Sequence, residues 1–235
     1  NAMLERLERS FHQANRFSAD ASHELKTPLA IMRGMLEQGL DRCEGDPDAQ
    51  EVFSQLLVQT GRQGAILENL LLLSRADAGR LEISAVRFSL SDHVETWIED
   101  AGFLAEPRGI SIESHAEPGI EIAGDPVLLQ QVAHNLFSNA VRYNVDGGRI
   151  ISELTLSGSS AEWRIANTGE LVPAHDRERV FERFERSQRQ EDSPNDGVGL
   201  GLSLVKEIIL AHGGRVAMDA NAEGLVEIYL AIPVN

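Results

Sequence analysis

His23 and the acidic residue that follows it are the first candidates for chemistry in this sequence. They lie in Ser-His-Glu-Leu-Lys-Thr-Pro (22–28), where apolar residues recur every three or four positions and predict a helix. The apolar positions are expected to face a neighbouring helix, which leaves His23 exposed with Thr27 on the same side. Because Glu24 can hydrogen-bond one ring nitrogen and leave the other lone pair available, His23 is a candidate nucleophile.

A second polar group lies on another predicted helix, about 110 residues further along. Asn135, Asn139 and Arg142 are spaced by four and three positions, so they share one side of that helix. Amide oxygens are hard ligands that suit Mg²⁺, and an arginine one turn away suits phosphate. The pattern indicates binding of a metal-bound phosphate.

Alternating glycines occupy the turn before the last predicted helix. Gly197, Gly199 and Gly201 lead directly into Leu202. Because glycine has no Cβ, backbone N–H groups in such a turn can approach phosphate oxygens at the positive end of the helix. This turn is therefore a further candidate phosphate contact.

Two more motifs complete the series: an Asn-Thr-Gly turn at 167–169 and a Phe-x-x-Phe segment at 181–184. In this order and spacing, the motifs resemble the cytoplasmic core of sensor histidine kinases, the transmitters of two-component signalling, over nearly the whole chain. The resemblance implies a long helical hairpin that forms a dimeric four-helix bundle, followed by an α/β sandwich ATP-binding domain of the histidine kinase and Hsp90-like type. It also implies ATP-dependent autophosphorylation of His23, transfer to an aspartate of a response regulator, and phosphatase activity.

The same resemblance implies a role for each residue of the motifs. His23 accepts the γ-phosphoryl group, Glu24 assists removal of its proton, and Thr27 positions water when phosphorylated regulator is hydrolysed. Asn139 matches the Mg²⁺ ligand. The matches to nucleotide contacts are Asn135, Asn139, Arg142, Tyr143, Asn167, Gly169, Arg186, Gly197, Gly199, Gly201 and Leu202.

The first glycine box departs from the family pattern. The family has an aspartate where this chain has Asn167, and a glycine where it has Leu171. An amide oxygen still accepts the hydrogen bond of the adenine amino group, so we expect weaker or altered nucleotide binding. Exchange of a charged acceptor for a neutral one costs about 1 kcal/mol, or roughly fivefold in affinity.

The elements that must position these residues form two predicted domains, a dimerisation and phosphoacceptor hairpin at 3–82 and a catalytic ATP-binding domain at 83–235. In the first domain, apolar steps of three or four along 4–40 and 52–76 predict two long antiparallel helices. Pro28 is expected to loosen one turn of the first helix.

The break between these helices carries signals for the start of the second one. Asp46 suits the N-cap and Pro47 the first helical position. An apolar cluster surrounds this helix on nearly all sides, more than one partner helix can bury, so we expect a homodimeric four-helix bundle. The cluster consists of Ile66, Leu67, Leu70, Leu71, Leu72 and Leu73. A monomeric hairpin packed on the rest of the chain is the alternative.

The second domain mixes strands and helices. Alternating residues predict strands at 150–156, 163–165 and 226–230. Helical patterns cover 91–104, 125–143 and 202–212, the second opening with the capping pair Asp125 and Pro126. We expect a sheet covered by helices on one face.

Composition limits the possible partners. The 235 residues carry a formal net charge of −16, so a polyanion such as nucleic acid is repelled at long range. Residues 85–235 hold 12 basic and 24 acidic residues, so an anionic ligand there needs a metal ion and local donors. The single cysteine, Cys43, excludes an intrachain disulfide.

The sequence also carries signals about location. Its aliphatic runs are far shorter than the roughly 20 residues that a membrane span needs, and no leader is present, so we expect this fragment to be neither inserted nor exported. Asn1-Ala2-Met3 looks like the remnant of a cleaved tag, which predicts a piece of a longer protein. The resemblance implies a parent in the bacterial inner membrane, with this part facing the cytoplasm.

Two other functions stay open. ATPases of the same fold place an acidic residue four positions before the metal-binding asparagine, where this chain has Asn135, so direct hydrolysis is disfavoured. The other alternative is a kinase-impaired module that binds a partner through the bundle and only removes phosphate from it.

Overall fold

A computed structural model of the chain describes residues 25–43, 45–185 and 198–234. These residues belong to two compact units that divide between Arg80 and Leu81. The boundary predicted from the sequence, between 82 and 83, lies two residues further along the chain.

The first unit contains the predicted antiparallel helical hairpin. Its helices are α1, described over 25–42, and α2, Pro47–Asp77. Near one end of the hairpin, Lys26 Nζ lies 2.7 Å from Glu68 Oε1. Near the other end, a Cβ at Gly39 would lie 2.4 Å from Cε1 of Phe53, so glycine allows the two helices to approach there.

The turn between α1 and α2 follows the signals in the sequence. Asp46 Oδ1 accepts a hydrogen bond from the Ala49 N–H at 3.1 Å, and Pro47 begins α2. Gly45 has a φ of +98°, a conformation that L side chains rarely adopt. In its described part, α1 continues through Pro28 without interruption.

The second unit is built on a mixed five-stranded sheet with the order β2-β4-β5-β7-β6. The strands β2 and β4 pair in parallel, and the other neighbours are antiparallel. The separate pair β1-β3 is also antiparallel. The strands are β1 (Val86–Ser89), β2 (Ser111–Ala116), β3 (Glu121–Gly124), β4 (Arg149–Ser157), β5 (Ser160–Asn167), β6 (Arg215–Ala220) and β7 (Val226–Pro233).

Helices of the second unit cover one face of this sheet, as predicted. They are α3 (Leu90–Ala105), α4 (Pro126–Arg142) and α5 (Gly201–Ala211). Trp163 of β5 is buried between them, with ring centroids 5.9 Å from Trp97 of α3 and 6.0 Å from Phe137 of α4. Its Nε1–H donates to Ser152 Oγ of β4 at 2.9 Å.

The start of α4 is fixed by its cap and by the histidine that directly follows α5. Asp125 Oδ1 accepts from the N–H groups of Val127 and Leu128, and Pro126 takes the first helical position, as predicted. The N–H of Asp125 donates to His212 Nε2 at 3.0 Å, while His212 Nδ1 lies 2.8 Å from the Ile208 oxygen. The two contacts make His212 a packing residue that joins the end of α5 to the start of α4.

The sequence patterns found some strands and missed others. The predicted strands are confirmed as parts of β4, β5 and β7, whereas β1, β2, β3 and β6 were not predicted. The strands β2 and β6 form the two edges of the sheet, where half-exposed residues give no run of buried aliphatic positions. The strands β1 and β3 have four residues each, too few to show a period.

Helix composition also bears on membrane insertion. Among the described residues, every helix is too short or too polar to span a bilayer.

The buried hydrogen bond between Trp163 and Ser152 provides a test of the core. Ser152→Ala leaves the indole N–H without an acceptor, so we expect the free energy of unfolding of the second unit to fall by about 1–3 kcal/mol. The measurement is urea denaturation. Ser111→Ala, at an exposed position of β2, is the control and is expected to change stability little. Equal stability of the two variants would contradict this account of the core.

Candidate functional site

Helix α4 presents the polar residues of the candidate site along one edge. Asn135 and Asn139 are half-buried and Arg142 is exposed, whereas Leu136 and Phe137 between them are buried in the core. The apolar side of α4 packs against the sheet because its buried positions recur at helical spacing. The three polar side chains therefore lie at the border between the core and solvent.

The first helical residue of α5 lies against the same edge of α4. A Cβ at Gly201 would lie 2.8 Å from Asn135 Oδ1, so the absence of a side chain permits this approach. Asn135 Nδ2 donates to the Gln131 oxygen at 2.8 Å, which holds the amide in place. The structure thus brings together two motifs that are more than 60 residues apart in the sequence.

The start of α5 lacks the side-chain cap that α2, α3 and α4 have. Asp46, Ser89 and Asp125 cap those helices, whereas the N-cap position of α5 is Leu200, with no side-chain cap among the described residues. The N–H groups of the first turn, which includes Leu202, therefore have no side-chain acceptor in the described chain. An anion fits there because these N–H groups lie at the positive end of the helix dipole.

The glycine turn before α5 is joined to the Phe-x-x-Phe segment. Gly199 has a φ of +76°, and the N–H of Phe184 donates to its oxygen at 2.9 Å. A Cβ at Gly199 would lie 2.8 Å from the Glu185 oxygen. Phe184 itself has a φ of +61° and an exposed ring, while Phe181 is buried.

At the other end of α4, the chain pairs with the first glycine box. A single β-bridge joins Asn144 to Gly169, and Thr168 Oγ1 donates to Asn144 Oδ1 at 2.6 Å. A Cβ at Gly169 would lie 2.3 Å from the Tyr143 oxygen, so only glycine fits. Tyr143 and Gly169, predicted separately from the sequence, are neighbours.

Asn167 is the last residue of β5 and carries an unsatisfied polar atom. Its side chain is buried at 7% exposure, and Nδ2 has no hydrogen-bond partner among the described residues. A buried donor without a partner costs about 1–3 kcal/mol. Such a group is a candidate hydrogen-bond donor to a ligand or to an ordered water molecule.

Arg108 is a residue of this region that the sequence patterns did not indicate. Its Nε donates to Asp146 Oδ1 at 2.7 Å, and its terminal nitrogens donate to the oxygens of Arg142 and Asn144 at 3.1 and 2.8 Å. These bonds hold the end of α4 and the loop that carries Tyr143. No sequence signal points to this role, because Arg108 lies more than 30 residues before its partners.

The opposite face of the sheet carries charged and aromatic residues and takes no part in this site. The guanidinium carbons of Arg164 and Arg215 lie 5.5 and 5.6 Å from the centre of the Tyr229 ring. A hydrogen bond with Tyr229 lowers the pKa of the Glu162 carboxyl, although burial opposes the shift. Burial raises the pKa of Glu227 on the same face.

The remaining predicted residues divide by whether the structure describes them. Thr27 lies on α1 in the first unit, with its side chain exposed. His23, Glu24, Arg186 and Gly197 lie outside the described residues.

Comparisons with known proteins match both units. Residues 13–79 match the family model of the His Kinase A (phospho-acceptor) domain. Residues 124–235 match that of the histidine kinase-, DNA gyrase B- and HSP90-like ATPases.

Curated relatives match across both units. Sensor protein CutS of Streptomyces coelicolor is 36% identical over 233 residues, which cover 99% of this chain and 56% of the relative. Sensor histidine kinase CusS of Escherichia coli K12 is 30% identical over 224 residues, covering 95% of this chain and 46% of CusS. The chain thus spans about half the length of these relatives.

A solved structure shares the fold. Full-length ShkA in complex with AMPPNP superposes with a TM-score of 0.79 at 24% identity, covering 93% of this chain and 45% of ShkA.

The close contacts around Gly199 lead to a stability prediction. Gly199 and Gly224 have nearly equal φ angles, +76° and +75°, but only at Gly199 does a new Cβ meet backbone atoms. We expect Gly224→Ala to cost about 1 kcal/mol from the left-handed conformation alone, and Gly199→Ala at least about 2 kcal/mol. Urea denaturation measures both. Equal losses would show that the turn does not pack tightly against Glu185.

Proposed function

The chain belongs to the sensor histidine kinases, and from that premise we propose that it transfers the γ-phosphoryl group of ATP to His23 and then to an aspartate of a response regulator. The observation that carries the proposal is that α4 joins two groups of residues ready to bind a ligand. One is the start of α5 beside Asn135, and the other is the amide of Asn167 beside Tyr143; in the described part of the chain, the first has no side-chain cap and the second has no partner for Nδ2.

These two groups suit the two ends of a nucleoside triphosphate. From Asn135 to Tyr143, α4 rises about 12 Å at 1.5 Å per residue, a span on the scale of an extended nucleotide. The N–H groups at the start of α5 suit the phosphates because they combine hydrogen-bond donors with a positive helix end. The neutral amide of Asn167 suits the edge of a base, which presents both donors and acceptors.

The fit extends to a divalent cation. The Asn139 amide oxygen is a hard ligand on the same edge of α4 as Asn135, and Arg142 follows one turn later. When bound there, Mg²⁺ would neutralise phosphate charge, which matters in a unit with 25 acidic residues. Arg142 then adds a positive charge from the protein itself.

The phosphoacceptor step rests on the first unit and its family match. The ring nitrogen of His23 forms a bond to the γ-phosphorus while the bond from that phosphorus to the bridging oxygen breaks and ADP departs with the electron pair. Glu24 takes the ring proton. Thr27, exposed on α1 and four residues after His23 in the sequence, would orient water when phosphorylated regulator is hydrolysed.

The alternatives differ from this proposal in their chemistry. A water-activating ATPase needs a general base, and the neutral amide of Asn135 cannot take a proton from water. A kinase-impaired phosphatase module would keep the hairpin but lack a working nucleotide site. The start of α5, which has no side-chain cap within 198–234 or the other described ranges, and the Asn167 amide favour a binding site over a degenerate one.

Labelling with γ-labelled ATP tests the proposed phosphoacceptor. We expect acid-labile label on the protein, and its loss in His23→Ala because no other group accepts the phosphoryl. His115→Ala, at an exposed position of β2, is the control and should retain the label. ATP turnover that survives His23→Ala would favour the hydrolase. Phosphatase activity without any labelling would favour the impaired module.

We also infer a homodimer through the hairpin. Leu25, Met32, Val52 and Leu56 belong to the apolar stripes of the two helices, yet each is exposed in the single chain. An apolar surface of this extent along both helices needs a partner, and a second hairpin supplies the complementary one. The parent protein would then place this dimer on the inner face of a bacterial membrane.

A charge on the apolar stripe tests the dimer. Leu56→Lys puts a cation where a second hairpin would pack, so we expect a shift from dimer to monomer in sedimentation equilibrium. Val58→Lys is the matched control, since Val58 is more exposed (68% against 45%) and lies outside the stripe. Two positions along the helix correspond to a rotation of about 200°. A dimer that persists in Leu56→Lys, or a monomeric unsubstituted chain, would contradict this arrangement.

A further inference from the structure

We propose that Asn167 allows the base pocket to accept 6-oxopurine nucleotides as well as adenine nucleotides. The inference rests on the proposed function, because it takes the second unit to bind a purine nucleotide with its base at Asn167. It makes Asn167 a residue that determines selectivity for the base.

The first step is the position of the Asn167 amide. Its side chain shares one face of β5 with Trp163 and Ile165, both buried on the helix side of the sheet, and β5 ends at this residue. At 7% exposure, Nδ2 has no hydrogen-bond partner among the described residues. The hydrogen-bonding capacity of this donor is therefore unused in the described protein, at the point where the strand ends.

The second step is the space beside that amide. A Cβ at Gly169 would lie 2.7 Å from Asn167 Nδ2, so only glycine at this position leaves room beside the amide. Because Nδ2 makes no hydrogen bond in the described protein, a half-turn of the amide about the Cβ–Cγ bond breaks none at that atom. Either end of the amide can face the ligand.

The third step is the match between the amide and the two kinds of purine. Adenine presents a donor at its 6-amino group and an acceptor at N1, whereas a 6-oxopurine presents an acceptor at O6 and a donor at N1. An amide has one donor end and one acceptor end, so it matches adenine in one orientation and a 6-oxopurine after the half-turn. An ionised carboxylate only accepts, so an aspartate would place an acceptor against O6.

Calorimetric titration of the chain with ADP and with inosine diphosphate tests this directly. Inosine diphosphate carries the 6-oxo group without the 2-amino group of guanine, so it isolates the edge that Asn167 would contact. We expect the two dissociation constants to lie within about tenfold of each other, since one amide satisfies both edges. In Asn167→Asp, the ratio of the inosine to the adenine constant should rise by at least about tenfold.

Asn221→Asp is the matched control. Asn221 Oδ1 accepts from the N–H groups of Glu223 and Leu225 at 3.0 and 2.9 Å in the turn before β7, and a carboxylate can accept both. It adds the same charge to the same unit without altering the proposed pocket. The ratio of the two constants should stay unchanged.

The outcomes separate this inference from the proposed function. ADP binding with inosine diphosphate more than tenfold weaker, or a smaller change of ratio in a folded Asn167→Asp, would overturn the inference and leave the kinase proposal intact. Failure of both nucleotides to bind would overturn both. The unsubstituted chain alone gives the first comparison, so it is decisive even where Asn167→Asp does not fold.

Discussion

The packing of α4 against the central strand β5 is the contact on which the candidate site depends. Phe137 and Trp163 meet in the core, and the hydrogen bond from Trp163 to Ser152 fixes the indole from the neighbouring strand. Since α4 is a single rigid element, this contact sets the positions of Asn135 at one end of the site and Tyr143 at the other. Hydrogen bonds fix the two ends of the helix. Asp125 and His212 make them at its start, and Arg108 makes them at its end.

The site is built from neutral groups in a strongly acidic unit. Asn135, Asn139 and Asn167 provide amides, and the start of α5 provides backbone N–H groups. Such groups bind an anionic ligand without adding negative charge to a chain that already has a formal net charge of −16. They can also act as both donors and acceptors, which a carboxylate cannot. The charged residues of the sheet lie instead on the face away from the helices.

Short-range patterns predicted much of the fold. The pairs Asp46-Pro47 and Asp125-Pro126 marked the starts of α2 and α4, because capping and proline geometry act over only a few residues. Central strands were visible since their buried positions alternate. The edge strands β2 and β6 were not predicted, because their stability comes from pairing with strands that are distant in the sequence. Their own residues are half-exposed and give no pattern of buried positions.

The sequence by itself determined which chemical groups are present, their order along the chain, and the family to which these motifs belong. It placed Asn135 and Asn139 on one side of a helix, because helical spacing is a local property. Only the tertiary structure decided that Gly201 lies against Asn135, that Gly169 lies against Tyr143, and that Nδ2 of Asn167 is buried with no partner from the residues that the structure describes. Each of these contacts joins segments separated by more than 20 residues or depends on burial by several elements, and no local pattern encodes such packing.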